Sequence, residues 1–196
     1  MLFSERSEVE LRARRSWVSI ADIWSRSERI FTRGDMAALL DVFEAAASND
    51  ARRVAELVGQ DPGRLGACSV DGWTPLHLAA FLGARESMLV LIGLGAPLNA
   101  VSQNPMANTP LHAAIAGVAG ESLAPLLIAL GADTGYIGGS QVSALHLAAS
   151  RGFENLCRLL LARGVDRDAR TEDGKTAAEI ARERGHLGAA AVLELV

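Results

Sequence analysis

Asp71-Gly72-Trp73-Thr74-Pro75-Leu76-His77-Leu78-Ala79-Ala80 is the stretch from which the fold can be read. Thr74 is a helix N-cap residue, whose side-chain oxygen takes one of the orphan N–H groups of the first turn. Pro75 follows at the first helical position, where its missing N–H removes no bond. Leu76 opens the buried face, and Ala79-Ala80 lets a second helix come close. Gly83 is placed to end the helix in the left-handed conformation. Arg85 to Leu94 reads as a second helix with Met88, Leu89, Leu91 and Ile92 turned inward. Gly95 ends it and Pro97 stops it resuming. The unit is two short antiparallel helices and a connecting hairpin-like loop.

The same unit recurs along the chain. Thr74-Pro75-Leu76-His77 returns as Thr109-Pro110-Leu111-His112, then as Ser143-Ala144-Leu145-His146, and in weaker form as Thr176-Ala177-Ala178-Glu179, at spacings of 35, 34 and 33 residues. Each copy leads through a leucine-rich run to a turn: Gly95-Ala96, Gly131-Ala132-Asp133 and Gly164-Val165-Asp166. An earlier, divergent copy holds Glu44-Ala45-Ala46 followed by Ala51 to Val58. One such unit cannot bury its own apolar face, so it must stack on its neighbours.

The period and the T-P-L-H-x-A pattern resemble those of the ankyrin repeat family. The resemblance covers roughly Met36 to Val196 and implies an all-α solenoid of stacked antiparallel helix pairs with short hairpin loops. Five repeats are expected, at about 36–68, 69–103, 104–137, 138–170 and 171–196, after a segment 1–35 that is not a repeat. The resemblance also implies that His77, His112 and His146 are structural. Each would bond to the Thr or Ser of its own motif (Thr74, Thr109, Ser143) and to the backbone of the next repeat, with Pro75 and Pro110 opening the helices.

The departures from the pattern are specific. The first copy lacks T-P-L-H and starts with the helix Met36 to Phe43, as an N-terminal capping repeat would. Asn49 stands where the interhelix glycine is expected, and asparagine tolerates the left-handed conformation. The third copy carries extra residues at Ser102 to Ala107 and at Gly117 to Gly120. Pro125 falls where its second helix should be running, and a mid-helix proline costs about 3 kcal/mol. The sequence therefore predicts a late start, with Ser122 as cap and Pro125 in the first turn. The glycine-rich loop Thr134 to Ser140 is the expected soft joint. The last copy, with Glu179, Arg182, Glu183 and Arg184, reads as a polar cap.

In 1–35, Val9, Ala13, Trp17, Ile20 and Trp24 share one face of an amphipathic helix. Three readings of the segment stand: a helix covering the first repeat, an arm that binds something else, or a stretch preceding a true start at Met36. Its arginines are balanced by Glu5, Glu8 and Glu10, which fits a basic membrane helix poorly.

Composition narrows the function. The chain has 196 residues, 49% of them hydrophobic and only 5% aromatic, with a net charge of -4. A core can form. The longest uncharged apolar-rich run, Met88 to Ala100, falls short of the roughly 18 residues a membrane span needs. The mild negative charge and the lack of a basic stripe argue against nucleic acid. The basic residues are nearly all arginine, Lys175 being the one lysine, a bias typical of a GC-rich bacterial genome. No secretory h-region is visible, so a cytoplasmic, monomeric protein is expected. Cys68 and Cys157 are neither a disulfide framework nor a metal motif.

No enzyme is expected. A histidine slot used three times is a structural device, His186 occupies a family Gly-His position, and phosphate-loop and nucleophile-elbow patterns are absent. No cofactor is implied. The resemblance implies instead a protein-interaction module, an adaptor or regulator that contacts its partner through hairpin tips and first helices lining a concave face. Carried across by position, the candidates are Val70, Asp71, Trp73, Phe81 and Leu82, then Met106, Asn108 and Ala116, then Val142, Ser150 and Arg151, and finally Glu172, Asp173, Lys175, Glu183 and Arg184. Trp73 and Phe81 are the expected anchors, because aromatic residues dominate interface hot spots. An alternative is an inhibitor or stabilising subunit of one enzyme, held through the N-terminal helix with Trp17 and Trp24.

Overall fold

The computed structural model describes residues 41–194. The expectations for 1–35 and for Met36 to Leu40 lie outside them. Among the described residues ten α-helices follow one another: α1 (41–47), α2 (Ala51–Gln60), α3 (Pro75–Leu82), α4 (Arg85–Gly93), α5 (Pro110–Ala116), α6 (Gly120–Ala129), α7 (Ala144–Arg151), α8 (Glu154–Ala162), α9 (Ala177–Glu183) and α10 (Leu187–Glu194). There is no strand among the described residues, only the isolated bridge of Ile137 with Ser143. The helices form five consecutive antiparallel pairs. First helices stack in one row, α3 on α5, α5 on α7 and α7 on α9, while α2 packs on α4 and α8 lies between α6 and α10. The result is an all-α repeat solenoid.

Its cohesion comes from residues the repeat supplies in every copy. Leu76, Leu111 and Leu145 are buried, as are Ala79, Ala80, Ala114, Ala148 and Ala149. The alanines let helices approach closely, and the leucines fill the space between pairs. Thr74 caps α3 in a reciprocal capping box with His77, and Ser143 does the same with His146. Gly83 and Gly152 end their helices at φ 77° and 71°, and Asn49 stands at φ 60°. Its side chain also ties the first pair to the second, its Oδ1 accepting the Ser87 N–H at 3.1 Å. The hairpins are chained in turn: Gln103 N–H donates to the Gly72 carbonyl at 2.7 Å, Gly139 to Met106 at 2.7 Å and Glu172 to Ser140 at 3.0 Å.

The histidine slot supplies a polar bond from one pair to the next. His77 Nδ1 lies 2.8 Å from Thr74 Oγ1, and its Nε2 donates to the Asn108 carbonyl at 2.9 Å. His146 repeats this with Ser143 Oγ at 2.8 Å and the Ala169 carbonyl at 3.1 Å. His112 keeps only half of it. Its Nδ1 meets Thr109 Oγ1 at 2.8 Å, but its buried Nε2 makes no hydrogen bond. The Val142 backbone, which precedes the capping Ser143, still acts on the ring without a well-formed hydrogen bond to Nε2; in the same hairpin Ser140 and Gln141 both stand at positive φ. Tyr136 instead meets the His112 ring edge-on, 5.8 Å between centroids.

Two helix expectations are corrected. The helix α6 does not start late: Ala119 is its N-cap, its carbonyl accepts the Leu123 N–H at 2.9 Å, and Pro125 lies inside the helix. Ser122 is no cap; its hydroxyl donates back to the Ala119 carbonyl. The proline removes one bond, to the carbonyl of Glu121, an exposed residue that water can reach. In α4, Met88 and Leu91 are buried, whereas Leu89 is 38% exposed and Ile92 half-buried. Ser87 takes the inward place, its hydroxyl 3.4 Å from the Ala45 carbonyl.

Two expected outcomes follow from this packing. A Cβ at Gly117 would lie 2.0 Å from the Phe81 carbonyl oxygen, whereas one at Gly59, on α2, would meet nothing within 4 Å. Gly117→Ala should therefore lower the urea unfolding free energy by about 2 kcal/mol, and Gly59→Ala should raise it by about 0.5–1 kcal/mol. A neutral Gly117→Ala would refute the close approach of α3 to that turn. The second concerns acid. Burial drives the His112 imidazole from 6.5 down to about 4, against weaker opposing pulls from the Val142 backbone and the Asp133 carboxylate. The unfolded chain takes up this proton near pH 6.5 and the folded chain does not. The stability it contributes is complete above that pH and is lost as pH falls through 4. Between those limits His112→Gln should flatten the dependence of unfolding free energy on pH by up to about 1.4 kcal/mol per unit. Parallel profiles for the two proteins would refute it.

Candidate functional site

The second pair carries an aromatic cluster beside its hairpin. Trp73 sits at the end of the hairpin, where the Ser69 N–H donates to its carbonyl at 2.8 Å and Gly72 turns the chain at φ 74°. Phe81 lies on the last turn of α3. The hairpin folds Trp73 back over that helix, so the two rings meet edge to face, 5.2 Å between centroids and 74° between planes. Trp73 also lies against His77 at 6.2 Å. Both aromatics and Leu82 are half-buried, which leaves ring surface open. Val70, 65% exposed, and the exposed Asp71 stand at the hairpin tip, and Met106, 58% exposed, at the tip of the next one.

Two other candidates have a different setting. Asn108 is only 6% exposed. Its carbonyl accepts from His77 and its N–H donates to Ser102 Oγ at 2.8 Å. It is part of the bond between pairs and offers a partner no side-chain surface. The reason is positional: Asn108 directly precedes the capping Thr109, where the third repeat presents its carbonyl to His77. Arg151 is exposed, but its guanidinium donates to the Gly117 carbonyl at 3.1 Å and lies 5.5 Å from the Phe153 ring centre. Its charge faces solvent while its position is fixed.

The fourth and fifth pairs frame an open pocket of about 350 Å³. Val142 and Ser150 from the fourth repeat, and Glu172, Asp173, Lys175, Glu183 and Arg184 from the fifth, all line it. Lys175 reaches across to Glu183, Nζ to Oε2 at 2.6 Å, and that bond raises the lysine's pKa above its usual value. Below, Thr176 N–H donates to Glu179 Oε2 at 2.7 Å and holds that carboxyl below its usual range, so Glu179 replaces the histidine of the other copies in the capping box. The floor residues Leu147 and Ile180 were not among the sequence candidates. Each directly follows the histidine-slot residue of its helix, a position the repeat pattern could have flagged.

The slot histidines are buried in structural bonds, and burial pushes the Cys157 thiol up to about 11. Among the described residues no group of three His, Cys, Asp or Glu side chains could hold a metal ion, and no helix is long and apolar enough to cross a membrane.

Comparison with known proteins agrees with this geometry. The sequence pattern described as ankyrin repeats (3 copies) matches residues 42–137 and 116–194. The chain is 37% identical over 115 residues to a transient receptor potential cation channel subfamily A member 1 homolog of Caenorhabditis elegans, covering 59% of this chain and 9% of that protein. It is 34% identical over 116 residues to the B-cell lymphoma 3 protein homolog of Mus musculus, covering 58% and 25%. A stretch of 46 residues is 52% identical to the E3 ubiquitin-protein ligase hecd-1 of Caenorhabditis elegans, 24% of this chain and 2% of that one. The chain thus spans a quarter or less of each relative's length. With its matched pattern running from 42 to 194 and its five stacked helix pairs, the chain belongs to the ankyrin repeat family, whose repeats are protein–protein interaction modules and generally not catalytic.

Proposed function

We propose that this chain is a bacterial cytoplasmic adaptor or regulator, monomeric by itself, that holds one partner protein on the concave face formed by its hairpins and first helices. The observation that carries the reading is the half-buried Trp73–Phe81 pair with Val70 and Met106 exposed on neighbouring hairpin tips. Aromatic side chains that are already packed lose little rotamer freedom on binding, which is why they make good anchors. Leu82 and Asp71 would extend the contact, and Arg151 would meet the partner beyond it. The matched relatives bear names as different as a cation channel and a ubiquitin ligase. What they share with this chain is the repeat module, which supports a binding role and transfers none of their activities.

The test is an affinity pull-down from host lysate with the full chain, the Trp73→Ala/Phe81→Ala variant and a chain starting at Met36. A single protein should be retained by the full chain and lost with the double variant. Against the identified partner, Trp73→Ala alone should weaken binding by about 2 kcal/mol, roughly thirty-fold in Kd. Undiminished affinity would remove Trp73 as an anchor. Loss only on truncation to Met36 would favour the other reading, a dedicated inhibitor or stabilising subunit held through Trp17 and Trp24, to which the one-sided spacing of Val9, Ala13, Trp17, Ile20 and Trp24 points.

A further inference from the structure

The inner face changes character along the array. At the second and third pairs it is mainly apolar, with Asp71 as its exposed charge beside Val70, and residues 104–137 of the third contain no lysine or arginine at all. At the fourth and fifth pairs the pocket has an apolar floor of Val142, Leu147 and Ile180. Glu172 and Asp173 line it from consecutive positions of an exposed turn that Gly174 closes at φ 73°. Among the described residues neither carboxylate has a basic nitrogen within ion-pair distance; Lys175 bonds Glu183 on α9, and Asp173 acts on it only as a weaker through-space charge. Arg184, the C-cap of α9, is the other cation of the lining, against the three carboxylates of Glu172, Asp173 and Glu183.

An apolar floor that leads to unpaired carboxylates is complementary to a side chain with an aliphatic stem and a cationic head. Resting on the concave-face reading above, we infer that this pocket takes a lysine or arginine side chain of the partner, on an extended segment whose other end lays an apolar side chain against Trp73 and Phe81. The stem lies over Leu147 and Ile180, and the head meets Glu172 and Asp173. The pocket is open, as a side chain arriving on a passing segment requires. Long charged heads discriminate partners more than they add affinity, so this end of the face selects among segments that the aromatic end would accept.

The experiment is a selection of phage-displayed random twelve-residue peptides on the full chain, followed by affinity measurement of the best synthetic peptide. The variants are Trp73→Ala/Phe81→Ala and Glu172→Lys/Asp173→Lys, with Glu172→Gln/Asp173→Asn as the milder form should the reversal fail to fold. Enriched peptides should pair a basic residue with an apolar or aromatic one. Charge reversal should weaken the best peptide at least ten-fold, and replacing its basic residue by glutamate should restore binding to the reversed variant. Neutralisation should weaken it in the same direction. Peptides that depend on Trp73 and Phe81 but ignore both carboxylate variants would overturn this inference and leave the concave-face reading standing. Peptides that need the carboxylates but not the aromatics would overturn the anchors, and no enrichment would overturn both.

Discussion

No single pair of these helices can bury its own apolar face, and the rest of the structure depends on that constraint. The first helices are seven or eight residues long, shorter than any helix stable alone in water. They persist because each lies between two others. The alanines that bring them close contribute little apolar area apiece, so the buried leucines of successive copies carry most of the hydrophobic stabilisation. Close stacking also excludes water from the seam. A histidine there must find its partners in protein, and where it does the bond is strengthened by its dry surroundings. The chain thus places a polar bridge, a cap and a small-residue contact within the few residues around each Thr or Ser.

Most of this was legible in the sequence because it is local and repeated. The cap, the proline, the histidine and the left-handed residue lie within ten positions of one another, and their recurrence near every 34 residues removes ambiguity about register. What was not legible depends on neighbours in space. Pro125 looked like a reason for a late helix, since the sequence does not show that the carbonyl it orphans is exposed. Leu89 looked buried because it is apolar in an apolar run, yet the serine before the methionine takes the inward position and bonds to the previous pair. His112 looked equivalent to His77 and His146. Whether its Nε2 meets the Val142 carbonyl in good geometry depends on a hairpin some thirty residues downstream, whose two non-glycine residues at positive φ have no sequence signature beyond a run of glycines.

The candidate contact surface divides in the same way. That Trp73, Phe81, Val70 and Met106 would be available followed from their slots in the repeat, but the edge-to-face contact of the two rings required the hairpin's return. The candidates of the last two repeats were read one by one from the sequence, and only the structure shows that seven of them, five of which are charged, line one pocket. Asn108 fails as a contact for the reason that makes the fold cohere: its slot is where one repeat hands a carbonyl to the histidine of another.

The distribution of backbone strain bears on where the array can be shaped for a partner. Among the described residues four non-glycine residues have positive φ, and three of them, Ala107, Ser140 and Gln141, lie in two adjacent hairpins. A left-handed L-residue costs about 1–2 kcal/mol, so these conformations persist only because neighbours hold them. The holding bonds are visible: Gly139 N–H donates to the Met106 carbonyl beside Ala107, and Glu172 N–H to the carbonyl of Ser140. Each strained hairpin is therefore fastened by the next one, and each fastening sits beside a proposed contact, Met106 at one and the carboxylate pocket at the other. The helices themselves carry no such residues except at the Asn49 turn. Cohesion is thus carried mainly by the parts that repeat, and most of the left-handed non-glycine residues are gathered in the hairpins, where a change of shape alters the proposed contact surface.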